Sequence, residues 1–158
     1  MHRIIAIGLF LLLISLPVAA QKAEVFGGYQ YTHFDGGGNF NGWNASLTGN
    51  FTNYFGITGD FSGVYDSGAK FHTYTFGPVI SAHTPVVQPF AHALFGGATA
   101  SGGGSQTGFA MFYGGGLDAG MRHGLAFRVV QVDWMVLRFS GVTSKNNVRL
   151  STGVVIKF

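Results

Sequence analysis

This 158-residue chain holds six acidic residues, nine basic ones and six histidines. Cysteine is absent, which removes thiolate nucleophiles, thiolate metal sites, disulfides and cysteine-linked lipid anchors. A hydrolytic centre would need a serine, a histidine and a carboxylate converging at one place. The nearest sequence pairs are Ser81–His83 and Asp60–Ser62, and neither sits in a supporting motif. His33, His72, His83, His92 and His123 are scattered, with no pair at metal-motif spacing. No metal or other cofactor is expected. "YGGGLDAG" holds a loose G-x-G-x-x-A string, but that motif needs a helix to follow, and "RHG" marks a turn there instead. A more ambiguous stretch is "GLAFRVVQVDWMVLRF", residues 124–139, where Arg128, Gln131, Asp133 and Arg138 interrupt an apolar run. What these groups can do depends on whether the run is a helix or a strand.

Composition narrows that choice. Hydrophobic residues make up 47% and charged residues only 9%, against about 25% charged in an ordinary soluble domain. Such a chain is too apolar to be disordered and too poor in charge for a typical soluble surface. Lys and Arg form no cluster, so nucleic acid is not an expected partner. Residues 1–20 have the pattern of a cleaved signal peptide. His2 and Arg3 open it, an apolar core follows, Pro17 ends the core, and "VAA" offers small residues for cleavage. Residues 21–158 would then form the mature domain. No apolar run after the leader reaches the roughly 17–25 residues of a membrane helix.

From residue 22 onward apolar and polar residues alternate. Eight strand-like segments fall near 24–34, 42–51, 55–65, 70–82, 87–98, 109–120, 124–139 and 147–158. Each is long enough for the roughly 9–11 tilted residues that cross an outer membrane. Polar connections ("DGGGNFNG", "DSGAK", "ASGGGSQTG", "SGVTSKNN") alternate with tighter ones ("TNY", "HTPVV", "RHG"). Long and short loops in alternation suit a membrane barrel, with the long ones outside. Many aromatics stand near segment ends, among them Trp43, Tyr54, Tyr65, Phe71 and Phe139, as interfacial girdles require. The expected fold is all-β: an eight-stranded antiparallel up-and-down transmembrane barrel.

The C-terminal strand "VRLSTGVVIKF" alternates apolar positions, including Val154 and Ile156, and ends on Phe158. It resembles the assembly signal of bacterial outer-membrane proteins. With "YGGGLDAGMRHGLAFRVVQVDWMVLRF" it resembles the small barrels related to the transmembrane domain of OmpA, closest to the compact acidobacterial type. That resemblance implies a monomer in the bacterial outer membrane. It also implies lipid and lipopolysaccharide as surroundings, and recognition of the last strand by the barrel-assembly machinery. No peptidoglycan-binding domain follows the barrel pattern, so that anchoring role is not carried over.

In a strand, Gln131 and Asp133 share one face and Val130, Val132 and Trp134 the other. A charge on the lipid face near the midplane costs about 2–4 kcal/mol for Arg or Lys and somewhat less for Asp, so Asp133 should turn inward. Arg128 has the opposite parity. Either a bulge near Val129–Val130 turns it inward, or it snorkels to the interface beside the Gly124 turn. The bulge is preferred here. Asp60, Asp118 and Arg149 fall on inward faces and with Asp133 and Arg128 form a candidate polar network in the lumen. Its role is structural filling, or else a gate. His92 in "PFAHALF" has no assigned face. The expected function is a small, non-enzymatic envelope protein with a structural or surface-interaction role and a lumen too narrow for large solutes. Two alternatives are a soluble periplasmic barrel that binds an apolar ligand and an outer-membrane enzyme that modifies lipid.

Overall fold

The computed structural model describes residues 22–158. The expected signal peptide, 1–20, lies outside the described residues. Eight strands follow in order: β1 (Lys22–Phe34), β2 (Gly38–Asn50), β3 (Phe55–Asp66), β4 (Ala69–Ser81), β5 (Val87–Ser101), β6 (Ser105–Arg122), β7 (Leu125–Phe139) and β8 (Val142–Lys157). Each pairs antiparallel with the next, and β1 pairs with β8, which closes the barrel. Closure leaves no free sheet edge, the condition under which β-structure can stand in lipid.

The strands are longer, and the connections shorter, than the composition suggests. Residues 39–41, 99–101, 105–108 and 142–144 look like loop but are paired strand, with Lys145 and Asn146 in a bulge beyond them. What remains at that end of the barrel is 35–37, 67–68, 102–104 and 140–141. The expected alternation of long and short loops is absent; the longest connection, 82–86, lies at the opposite end, the terminal end, where the described residues begin at Lys22 and end at Phe158. Tight turns account for part of the discrepancy, and His123–Gly124 is a turn of the same kind at the terminal end. Ser67–Gly68, His123–Gly124 and Ser140–Gly141 each combine two residues of positive φ. That backbone makes a two-residue hairpin turn whose twist matches the flanking strands. It closes each hairpin at once and leaves the following polar residues free to pair. The hairpin end is the end with these extended strands; the terminal end is the other.

Facing follows the pleat. Leu47, Ile57, Phe61, Phe76, Phe127, Trp134, Val154 and Ile156 are exposed on the outer wall. Asn44, Ser46, Thr58, Asp60, Thr75, Gln131, Asp133, Arg149 and Ser151 are buried inside. The charges sort the same way. Glu24, Asp60, Asp118, Arg128, Asp133 and Arg149 all face the interior. Asp66, Lys70, Arg122 and Arg138 stand at strand ends, Asp35 lies in a turn, and Lys145 belongs to the hairpin end of β8. An aromatic belt marks the outer wall toward that end. Trp43 Nε1 donates to Tyr65 Oη at 3.0 Å, and Tyr65 Oη lies 3.2 Å from His72 Nε2. Amphipathic aromatic groups of this kind favour a membrane–water boundary. Phe71 and Phe139, expected in such a belt, point into the barrel mouth instead and pack against Leu94, Ala98 and Leu137.

Candidate functional site

The polar lumen depends on one irregularity in β7. Arg128 pairs with Asp118 and Gly153, while Gln131 pairs with Gly116 and Ser151, so the register slips between them. Val129 and Val130 are both exposed, at 47% and 40%, although they are neighbours. Two consecutive residues facing out is a bulge, and it reverses parity. Arg128 therefore faces the interior on the same side as Gln131 and Asp133. Thr152 Oγ1 donates to the Arg128 carbonyl at 2.9 Å, a side-chain bond to the backbone beside the slip.

Arg128 meets Asp118 in a two-point fork: Nε donates to Oδ1 at 2.8 Å and Nη2 to Oδ2 at 3.1 Å. Its guanidinium lies 4.3 Å from the ring centroids of both Phe26 and Phe90. Charge and plane are both satisfied, as an arginine taken out of water requires. Nη1 donates to Gln131 Oε1 at 2.7 Å, and Gln131 Nε2 donates to Asp133 Oδ2 at 2.8 Å. Gln131 thereby links this pair to a second cluster.

That cluster is centred on Arg149, which is fully buried. Nη1 and Nη2 donate to Asp60 Oδ1 and Oδ2 at 2.6 and 3.2 Å. Nε and Nη2 donate to Asp133 Oδ2 at 2.9 and 2.6 Å. The Phe112 ring faces the guanidinium, with its centroid 4.4 Å away. Asn44 Nδ2 donates to Asp60 Oδ2 at 3.0 Å. His92 Nε2 lies 2.6 Å from Asp133 Oδ1. Strands β2, β3, β5, β7 and β8 are thus tied across the interior.

Asp60, Asp118, Arg128, Asp133 and Arg149 are brought together in one connected set. His92 joins it. Its face follows from parity with Gln88, because these two polar residues in the first half of β5 point the same way, and Phe90 and Leu94 must go inward with them. Sequence reasoning also missed a smaller cluster at the terminal end. There Glu24 Oε1 accepts from Asn50 and Gln88, each at 3.3 Å, and lies 3.4 Å from Lys157 Nζ. Lys157 Nζ also donates to Gln88 Oε1. Between the two clusters lies a void of about 20 Å³ lined by Thr58, Arg128 and Gln131. That is room for about one water.

Toward the hairpin end the filling changes character. Leu94, Ala98, Ala110, Phe112, Met135 and Leu137 pack into an apolar cluster above Arg149. The lumen thus carries a salt-bridged layer and an apolar layer in series. Val154 and Ile156 of the last strand, together with Phe158, are exposed on the outer wall, at 45%, 46% and 75%. Among the described residues no serine hydroxyl is hydrogen-bonded to a histidine, and no cluster of His, Asp and Glu is arranged to hold a metal ion.

No family model matches the chain, and no curated protein matches it in sequence. Solved structures do match in shape. The N-terminal β-barrel domain of Pseudomonas aeruginosa OprF aligns with a TM-score of 0.61 at 13% identity. Neisserial surface protein A aligns at 0.57 and 15%. Ail, the attachment invasion locus protein of Yersinia pestis, solved with the heparin analogue sucrose octasulfate, aligns at 0.53 and 18%. Each alignment covers 87% of this chain and 97% of the other. Closure, strand number and shape agree: this chain has the fold of the small eight-stranded outer-membrane barrels.

Proposed function

We propose that this protein is a small integral barrel of the bacterial outer membrane. In this reading it acts as a non-enzymatic envelope component whose lumen is closed to solutes. The supporting observation is the sorting of charge. Every charged side chain described in the middle of a strand turns inward, and the outer wall there is apolar. A soluble barrel requires the opposite arrangement. The lumen reading rests on the two layers in series, one of paired charges and one of packed apolar side chains. Eight strands enclose room for side chains and little else. Export by residues 1–20, a lipid and lipopolysaccharide environment and a monomeric state belong to the same proposal. So does recognition of Val154, Ile156 and Phe158 by the assembly machinery. A catalytic role has no support, since among the described residues no serine hydroxyl is hydrogen-bonded to the His92–Asp133 pair to act as a nucleophile.

The mature chain, 21–158, refolded into detergent and run on a gel with and without boiling, tests the membrane reading. A folded band that shifts on boiling, with β-type circular dichroism, is expected. A protein that stays monomeric and soluble without detergent would rule the reading out.

A further inference from the structure

Polarity reverses along the barrel. In the body of the wall apolar residues face out and polar residues face in. At the hairpin end His33, Asn39, Asn41, Lys70, Thr107 and Lys145 are exposed on the outside. On the inside at that level stand Phe34, Phe40, Phe71 and Phe139, only partly buried. Phe34 meets Phe40 and Phe71 edge-on, each with centroids 5.1 Å apart, and Phe71 lies 6.3 Å from Phe139. Apolar inside and polar outside is the arrangement of a soluble ligand-binding barrel. The four rings surround an open cup of about 760 Å³, rimmed by residues 102–104 and floored by Leu137 and Asn147. That volume lies within the roughly 300–1,000 Å³ of small-molecule sites.

We infer that this cup binds a free, uncharged hydrophobic small molecule from the external medium. This rests on the membrane reading for its orientation. The occupant is small because barrel wall surrounds it on its sides. It is uncharged because the lining is largely apolar, and the charges bordering it, Asp35 and Lys70, are of opposite sign. Asn147 is already committed: its Oδ1 accepts the Asp35 amide at 2.9 Å, and its Nδ2 donates to the Met135 carbonyl at 3.2 Å. The occupant comes from outside because the wall at this height is polar, which sets the hydrocarbon layer below the rim. The packed cluster of Leu94, Phe112 and Met135 beneath the floor makes the cup a place to hold a molecule, not a passage.

The test uses the refolded barrel in lipid nanodiscs, titrated with 2-naphthol and followed by methyl chemical shifts. Saturable binding of one probe per barrel is expected, with shifts at Ala69, Ala100 and Leu137. Phe71→Asn and Phe139→Asn should each weaken binding at least tenfold. Ala100→Trp, which fills the cup with apolar volume, should abolish it while the heat-modifiable band persists. Non-saturating shifts, shifts centred on the wall residues Leu47 and Ile57, or equal binding by all variants would overturn the inference. So would contacts between lipid acyl protons and the Leu137 methyls, which would mark a bilayer occupant. A barrel that inserts and leaves the cup empty sinks this inference alone; one that fails to insert sinks the membrane reading with it.

Discussion

Asp133 is the carboxylate on which the interior network converges: Oδ1 faces His92 and Oδ2 accepts from both Gln131 and Arg149. Removing it leaves Arg149 with Asp60 alone and strips His92 and Gln131 of a partner in a dry interior. Breaking a buried pair in this way typically costs about 3–5 kcal/mol, because the surviving charge stays buried. Asp133→Ala should lower unfolding stability by that order in urea titrations of the vesicle-inserted barrel. Asp66→Ala, at an exposed strand end, should shift it by no more than about 0.5 kcal/mol. Replacing Asp60, Asp133 and Arg149 together with apolar residues of similar size should be milder than the single change. Simple alternation made Asp60, Asp118, Asp133 and Arg149 legible in the sequence. Arg128 had the wrong parity until the slip at Val129–Val130 was taken into account. His92 was ambiguous because both faces of β5 carry apolar residues, and only its phase with Gln88 distinguishes them.

Strand number and most strand centres were legible because a half-buried strand must alternate. The hairpin end was not. Glycine, serine and asparagine read as loop, yet residues 39–41 and 142–144 form ladder, because the three-residue turn at 35–37 and the two-residue turn at 140–141 close those hairpins early. Phe71 and Phe139 were misplaced for a related reason: a girdle residue and a cup residue have the same identity near the same strand end. The seam between β1 and β8 sets a further condition that composition hides. Gly28 and Gly153 face each other there, and a Cβ on Gly28 would lie 2.0 Å from the Thr152 carbonyl oxygen. Gly28→Ala must push the closing strands apart, and overpacking of this kind costs about 1–3 kcal/mol. The fraction of chain recovered as the heat-modifiable band should fall accordingly. Gly27→Ala, where a Cβ meets nothing within 4 Å, should refold like the parent. Equal recovery of the two variants would contradict the seam described here.

At the scale of the whole molecule, two different layers stand in series in one lumen. Salt-bridged side chains cross the middle, and apolar side chains pack above them. Planar-bilayer recordings should therefore show no steady conductance. Asp133→Ala should not create it, because the apolar layer remains; open steps from the parent protein would refute closure. The central claim, though, is that the apolar face of this barrel looks outward into lipid. The chain has two tryptophans, Trp43 and Trp134, exposed on the outer wall at 42% and 45%. Fluorescence quenching in vesicles is the most direct measurement. Lipids brominated along the acyl chains should quench both residues, as read from the single-tryptophan variants Trp43→Phe and Trp134→Phe, and aqueous iodide should have little effect on Trp134. Strong quenching of Trp134 by iodide with none from brominated lipid would contradict the account.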